Sequence, residues 1–105
     1  MDRVARFGLS FTGTRKSKRE KIFEPVTIVA GVRQSKAHLL DLSLTGALGH
    51  ADAPPAVGTL ITVLCVDEQL KGSVVWIEAK HFGISFDPAL EPDTVQRVFR
   101  QAVRK

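Results

Sequence analysis

The chain has 105 residues, of which 44% are hydrophobic and 25% are charged, a composition typical of one globular domain with a single core. No apolar run approaches the roughly 18 residues of a membrane span, and the N-terminus lacks the apolar segment of a secretory signal, so we expect a cytoplasmic protein. Cys65 is the only cysteine, which excludes an internal disulfide and predicts a packed thiol between Leu64 and Val66.

The net charge of +4 is concentrated at the N-terminus. Residues 1–21 contain seven Lys or Arg and two acidic residues, a net charge of +5, whereas the rest of the chain has eight basic and nine acidic residues. This asymmetry indicates either an anionic partner for the N-terminal arm or a basic tail that is only solvated. We expect residues 1–14 to be a flexible segment and residues 15–105 to form the domain, with the basic arm and a C-terminal helix included.

Within the arm, Arg15 and Arg19 are four positions apart. They would share a face of a helix, or they could reach opposite sides of a small ligand from an extended segment. The planar guanidinium group of arginine binds phosphate through two hydrogen bonds and also stacks on guanine or hydrogen-bonds to it. Lys16 and Lys18 lie between the two arginines, and the whole basic stretch is also compatible with nucleic-acid binding.

The middle of the chain has the composition of short β-strands separated by turns. Val, Ile, Leu and Phe are grouped in short runs, and Gly, Pro and Asp lie between the runs. Six short strands with short connections predict an all-β domain, a small antiparallel barrel. Trp76 lies among valines and is interpreted as a core residue rather than a stacking platform, although a strand tryptophan could stack on bases in an oligonucleotide-binding barrel. The predicted strands cover residues 25–30, 36–42, 47–50, 60–66, 71–77 and 82–86.

Between residues 39 and 48, leucines alternate with polar residues. This period of two predicts a half-buried strand in which Leu40, Leu42 and Leu44 face the core and the polar residues face out. Asp41, Ser43 and Gly46 form the pattern Asp-x-Ser-x-x-Gly. A carboxylate, a hydroxyl and a bare backbone could bind the N1–H and N2–H₂ donors of guanine. Alternatively, the same residues could only form a turn, because Asp and Ser often hydrogen-bond to nearby backbone N–H groups.

The C-terminus changes to the period of a helix. Pro92 suits a first helical turn, and Asp93 interacts favourably with the positive end of the helix dipole. We expect this helix to pack on the barrel; the alternative is a helix that binds a partner. Its apolar residues recur at three- and four-residue spacing: Val95, Val98, Phe99, Ala102 and Val103.

Motifs for catalysis or metal binding are missing from the sequence. His38, His50 and His81 are scattered, and none has a second ligand at the usual metal-binding spacing. Asp41 and Ser43 supply two thirds of a catalytic triad, but no histidine is assigned to join them. The sequence therefore predicts a protein that is not an enzyme, with no metal and no cofactor.

Two motifs together resemble a known family. Arg15-x-x-x-Arg19 stands in the arm, and Asp41-x-Ser43-x-x-Gly46 stands at a strand end, and the pair resembles the two motifs of the PilZ domain family, bacterial receptors for cyclic di-GMP. The resemblance covers about residues 15–103. It extends to three further segments, at residues 56–58, 72–76 and 82–86.

The resemblance implies a six-stranded antiparallel β-barrel with a C-terminal α-helix and no catalysis. By position, Arg15 and Arg19 would hold the phosphates and the Hoogsteen edge of guanine. Asp41 and Ser43 would hydrogen-bond to a guanine, and Gly46 would let a base approach the backbone.

The function implied is a cyclic di-GMP receptor that acts on an unidentified effector protein by changing shape. Two alternatives come from other classes. One is a small nucleic-acid-binding barrel with a basic arm, which we disfavour because a phosphate binder gains nothing from the carboxylate of Asp41. The other is a ligand-free protein-interaction module, which the intact motifs disfavour.

Overall fold

A computed structural model describes residues 19–65 and 67–103. Its six strands form one closed antiparallel barrel, followed by one helix, and this confirms the predicted architecture. The strand order around the barrel is β1-β2-β3-β6-β5-β4, and pairing of β1 with β4 closes it. The elements are β1 (Glu20–Ala30), β2 (Arg33–Leu42), β3 (Gly46–His50), β4 (Leu60–Cys65), β5 (Glu68–Glu78), β6 (His81–Ser85) and α1 (Pro92–Val103).

Several strands are longer than local composition predicts. β1 begins at Glu20 and β5 at Glu68, because backbone pairing with β2 and β4 outweighs the weak strand propensity of the charged residues there. Pro25 lies inside β1, opposite His38, rather than at its edge. β4 covers only residues 27–29 of β1, so Pro25 stands where the strand has a partner on one side only.

The barrel interior is a single apolar core. Cys65 is fully buried, as its apolar neighbours predict. The largest buried apolar side chains come from five strands and the helix: Ile28, Leu39, Leu42, Val63, Leu70, Val74, Phe82, Ile84 and Val98.

The helix completes this core. Val98 is fully buried, and Val95 and Phe99 pack against the barrel residues. The carbonyl of Glu91 accepts hydrogen bonds from the N–H groups of Thr94 and Val95, which fixes the first turn. The apolar face of the helix therefore serves its own domain, as the sequence predicted.

A β-bulge in β2 changes which of its side chains face outward. Simple alternation placed Leu40, Leu42 and Leu44 together in the core, but only Leu42 is buried, together with Leu39. Leu44 lies in the turn after β2 and is half-buried. The β2–β3 register shifts between Leu39 and Asp41, so one extra residue is inserted and the alternation changes phase. The prediction for Leu40 was therefore wrong.

Candidate functional site

The two sequence motifs meet through one ion pair. Nη1 of Arg19 lies 2.8 Å from Oδ1 of Asp41, although the residues are 22 positions apart. The backbone N–H of Leu48 donates a second hydrogen bond, of 2.9 Å, to the same oxygen. Both hydrogen bonds to Asp41 from the described residues thus fall on Oδ1, and Oδ2 accepts none of them.

The position of Asp41 follows from the bulge in β2. Lys21 of β1 and Leu48 of β3 are its cross-strand partners, so its side chain points away from the core. The side chain is 20% exposed, and that of Arg19 is 52% exposed. The carboxylate is therefore fixed at the base of the site, while the guanidinium forms its accessible rim.

Ser43 holds the turn between β2 and β3. Its side chain is buried, and its hydroxyl donates to the carbonyl of Gly46 at 3.1 Å. The same oxygen accepts hydrogen bonds from the backbone N–H groups of Thr45 and Gly46, at 3.3 and 3.1 Å. The turn interpretation of this motif therefore describes Ser43 well, and direct contact of Ser43 with a guanine stays a prediction.

Gly46 leaves room for two other groups. A Cβ atom at this position would lie 2.7 Å from the carbonyl oxygen of Ile84 and 3.3 Å from Nη2 of Arg19. Gly46 is the first residue of β3, and its backbone angle is not in the left-handed region. The glycine is thus required by the close approach of β6 and of the guanidinium group.

A row of cross-strand neighbours runs from Asp41 across the outside of the barrel. Asp41 is opposite Leu48, Leu48 is opposite Gly83, and Gly83 is opposite Trp76. Cross-strand partners point to the same face, so the acidic group, the leucine and the indole line one strip of surface. We call this strip the outer row.

Trp76 lies on the surface, not in the core. It is 43% exposed, and its indole Nε1 occupies the space that a side chain on Gly83 would need. The β5–β6 register shifts between Val74 and Trp76, and this bulge turns the indole outward. The core prediction for Trp76 was therefore wrong. The side of β5 to which Trp76 points depends on the bulge, so it could not be predicted from local sequence alone.

A cleft of about 470 Å³ lies between the β2–β3 turn, which contains part of the Asp-x-Ser-x-x-Gly motif, and the helix. The β2–β3 turn forms one wall through Ser43 and Leu44, and the helix forms the other through Phe99 and Arg100. Glu20 stands at its edge, directly after Arg19. The cleft therefore adjoins the second motif through Ser43, whereas Asp41 belongs to the outer row.

Some of the predictions fall on residues that the structure does not describe. Arg15 lies outside the described residues, as do the segment 1–14, Val66 and the last two residues of the chain. Within residues 19–65 and 67–103, no three His, Cys, Asp or Glu side chains converge in a way that could hold a metal ion. In the same part of the chain, no helix is both long and apolar enough to cross a membrane.

Comparison with known families decides what this arrangement belongs to. A family model described as PilZ domain matches residues 13–104. The chain belongs to the PilZ domain family. No curated protein matches the chain. PilZ domains form a family of cyclic di-GMP receptors and are binding or adaptor domains rather than catalysts. In this PilZ domain, Arg19 of the first motif and Asp41 of the second are in direct contact.

Proposed function

We propose that this PilZ domain binds cyclic di-GMP at the Arg19–Asp41 pair and along the outer row. One observation carries the proposal: the ion pair brings a phosphate-binding group and a guanine-binding group together at an accessible surface. A ligand with two phosphates and two guanines needs both chemistries within a few ångströms.

Arg19 is suited to hold a phosphate. Its guanidinium has five N–H donors, and one of them is used by Asp41. An ion pair with this exposure is worth only about 0.2–1 kcal/mol, so the guanidinium can turn toward a ligand at little cost. Arg15, four positions earlier, would supply the second guanidinium of the family motif.

Asp41 is suited to recognise guanine. The N–H of Leu48 and the guanidinium of Arg19 hold Oδ1, which keeps the carboxylate in one orientation. Oδ2 can then accept from the N1–H or N2–H₂ group of a guanine. Other nucleobases lack this pair of adjacent donors, so the carboxylate supplies base selectivity.

The outer row supplies a surface for stacking. Leu48 is half-buried beside Asp41, and the Trp76 indole lies over Gly83 one strand further. Stacking of a base on an aromatic side chain contributes about 1–3 kcal/mol. We place the second base of the ligand, or its ribose, over this apolar part of the strip.

The signal would pass through the junction at Arg19. This residue directly precedes β1, so a ligand held by its side chain fixes the point where the N-terminal arm joins the barrel. We propose that nucleotide binding changes the shape of the domain at this junction and alters a surface read by an effector protein. Hydrogen exchange of the amides of residues 10–22 with and without nucleotide tests the idea, and equal protection in both states would contradict it.

Titration calorimetry with cyclic di-GMP tests the binding proposal. We expect saturable binding by the wild type and at least tenfold weaker binding by Arg19→Ala and Asp41→Ala. Arg33→Ala is the matched control, because it removes an exposed arginine at the other end of the β1–β2 pair. It should leave the affinity unchanged.

The specificity arms use cyclic di-AMP and a single-stranded oligonucleotide. The proposal expects neither to compete at concentrations that saturate with cyclic di-GMP. Salt-dependent binding of the oligonucleotide, weakened equally by Arg19→Ala and Arg33→Ala, would instead identify a general phosphate-binding barrel.

A further inference from the structure

Lys21 extends the outer row by one strand. It is the cross-strand partner of Asp41 in the β1–β2 pairing, so the two side chains point to the same face of the barrel wall. Lys21 is exposed to solvent. Its neighbour Glu20 is opposite Leu42 and lines the cleft on the other side of the strand. A lysine side chain therefore starts beside the carboxylate that the proposed function assigns to guanine.

The fold makes no use of the charge of Lys21. No ion pair within residues 19–65 and 67–103 includes this lysine. Asp41, its cross-strand partner, is paired with Arg19 instead, at 2.8 Å. Because the arginine neutralises the carboxylate and holds one of its oxygens, the ammonium group of Lys21 and its three N–H donors remain for a ligand.

The Watson–Crick edge of guanine calls for a donor next to Asp41. This edge carries the N1–H and N2–H₂ donors and, on the other side of N1, the acceptor O6. A carboxylate can accept from the two donors, but an ionised carboxylate has no proton to give to O6. The side chain that pairs with Asp41 across the strands is a lysine, which has donors only.

The strand pairing gives Lys21 the reach that this contact needs. Cross-strand partners have Cβ atoms about 4.5–5.5 Å apart, and the lysine ammonium is carried on a flexible stem of about four carbons. A base that lies against Asp41 therefore falls within the range of the ammonium group. Adenine carries an N–H₂ donor where guanine carries O6, so the same ammonium would oppose a donor and disfavour that base.

We propose that Lys21 donates a hydrogen bond to O6 of the guanine whose N1–H and N2–H₂ groups Asp41 accepts. The inference rests on the proposed binding of cyclic di-GMP and adds to it a specificity-determining residue outside the two family motifs. O6 has two lone pairs, so an arginine on the Hoogsteen edge of the same base does not compete with the ammonium group.

Calorimetry with two ligands and two proteins isolates this contact. The ligands are cyclic di-GMP and an analogue with sulfur in place of O6 on both guanines, which keeps the N–H donors and the phosphates but accepts hydrogen bonds weakly. The proteins are the wild type and Lys21→Met, which has an unbranched side chain without charge. We expect Lys21→Met to bind cyclic di-GMP about tenfold more weakly than the wild type. Both proteins should bind the sulfur analogue with the same affinity within about twofold.

Two further variants separate the hydrogen bond from the charge. Lys21→Arg keeps a donor and should retain the affinity of the wild type for cyclic di-GMP within about threefold. Lys36→Met is the matched control, because Lys36 is also exposed, is opposite Thr27 and lies five positions from Asp41 along β2. It removes the same charge and should leave the affinity for both ligands unchanged.

The possible failures are distinct. Wild-type affinity of Lys21→Met for cyclic di-GMP would overturn the inference and leave the proposed function standing. Equal weakening of both ligands by Lys21→Met would also overturn it, because Lys21 would then contact a phosphate. A loss in Lys36→Met as large as that in Lys21→Met would overturn it as well, since charge alone would explain both. Absence of cyclic di-GMP binding by the wild type would instead contradict the proposed function itself, and the role of Lys21 with it.

Discussion

The guanidinium of Arg19 contacts the carboxylate of Asp41 and covers the backbone of Gly46. Arg19 and Asp41 lie in different motifs: Arg19 directly precedes β1, and Asp41 lies near the end of β2. Pairing of these two strands brings them together. The Arg19 side chain is therefore held in place by a residue of the second motif.

Replacement of Gly46 by alanine should disturb that contact. The new Cβ would meet the carbonyl of Ile84 at 2.7 Å and the guanidinium of Arg19 at 3.3 Å. We expect a loss of about 1–3 kcal/mol in unfolding free energy, as for other over-packed sites, and weaker cyclic di-GMP binding. Urea denaturation and calorimetry measure the two effects.

Gly31→Ala is the comparison for that variant. An added Cβ at Gly31 meets nothing within 4 Å, but the backbone angle φ is +63°. This variant should lose about 1 kcal/mol from the left-handed backbone and keep its ligand affinity. Equal ligand affinity in Gly46→Ala and the wild type would show that the Arg19 position is unimportant for binding.

The Arg19–Asp41 pair should matter far more for binding than for folding. A double-mutant cycle with Arg19→Ala and Asp41→Ala should give a coupling energy of about 0.2–1 kcal/mol in urea denaturation, because the arginine is half exposed. Calorimetry on the same variants should show at least tenfold weaker nucleotide binding. A coupling energy well above this range would identify the pair as a structural element instead.

Trp76 should report nucleotide binding by fluorescence. It is the only tryptophan of the chain and lies in the outer row, over Gly83, which separates it from Leu48. Stacking of a guanine on the indole should change the emission in proportion to occupancy, and Asp41→Ala should abolish the change. Val75→Ala, at an exposed neighbour, is the control and should keep it. Unchanged emission at saturating nucleotide would place the ligand away from this strip.

The Glu68–Arg97 ion pair should make stability depend on pH. Nε of Arg97 donates to Glu68 at 2.7 Å and ties the helix to the start of β5. This hydrogen bond lowers the pKa of Glu68 below its ordinary value of 4.5, against a smaller opposing effect of burial. A carboxyl group with a lowered pKa stabilises the fold above pH 4.5, and the contribution is lost as the pH falls through the folded-state pKa.

Glu68→Gln tests this dependence. At pH 7 the variant should have a lower Tm than the wild type, and the difference should shrink as the pH falls below 4.5. Asp52→Asn is the control, because its 3.4 Å contact with Lys80 involves two largely exposed side chains. A Tm difference for Glu68→Gln that is constant from pH 7 to pH 3 would assign the effect to packing rather than charge.

Ala79→Gly should stabilise the protein. Ala79 is in the two-residue turn between β5 and β6 and has a φ of 57°, in the left-handed region that favours glycine. Relief of this strain exceeds the entropy cost of glycine, so we expect a gain of up to about 1 kcal/mol and a Tm a few degrees higher. A lower Tm would show that the alanine methyl group makes a stabilising contact.

The sequence was sufficient for the architecture because that information is local and repeated. Runs of β-branched residues, turn residues between them and the 3.6-residue period after Pro92 each specify an element without reference to distant residues. The two motifs indicated the family in the same way, and the strand pairing then placed Arg19 beside Asp41.

The tertiary structure alone decided which side chains face outward and which histidines meet. A bulge adds one residue to one strand of a pair, and this changes the alternation beyond it. The bulge in β2 takes Leu40 out of the core, and the bulge in β5 puts Trp76 on the outer surface, against the simple alternation of the sequence. The pairing of His50 with His81 likewise depends on the β3–β6 register. Bulges and registers arise from contacts between strands distant in sequence, so local composition cannot specify them.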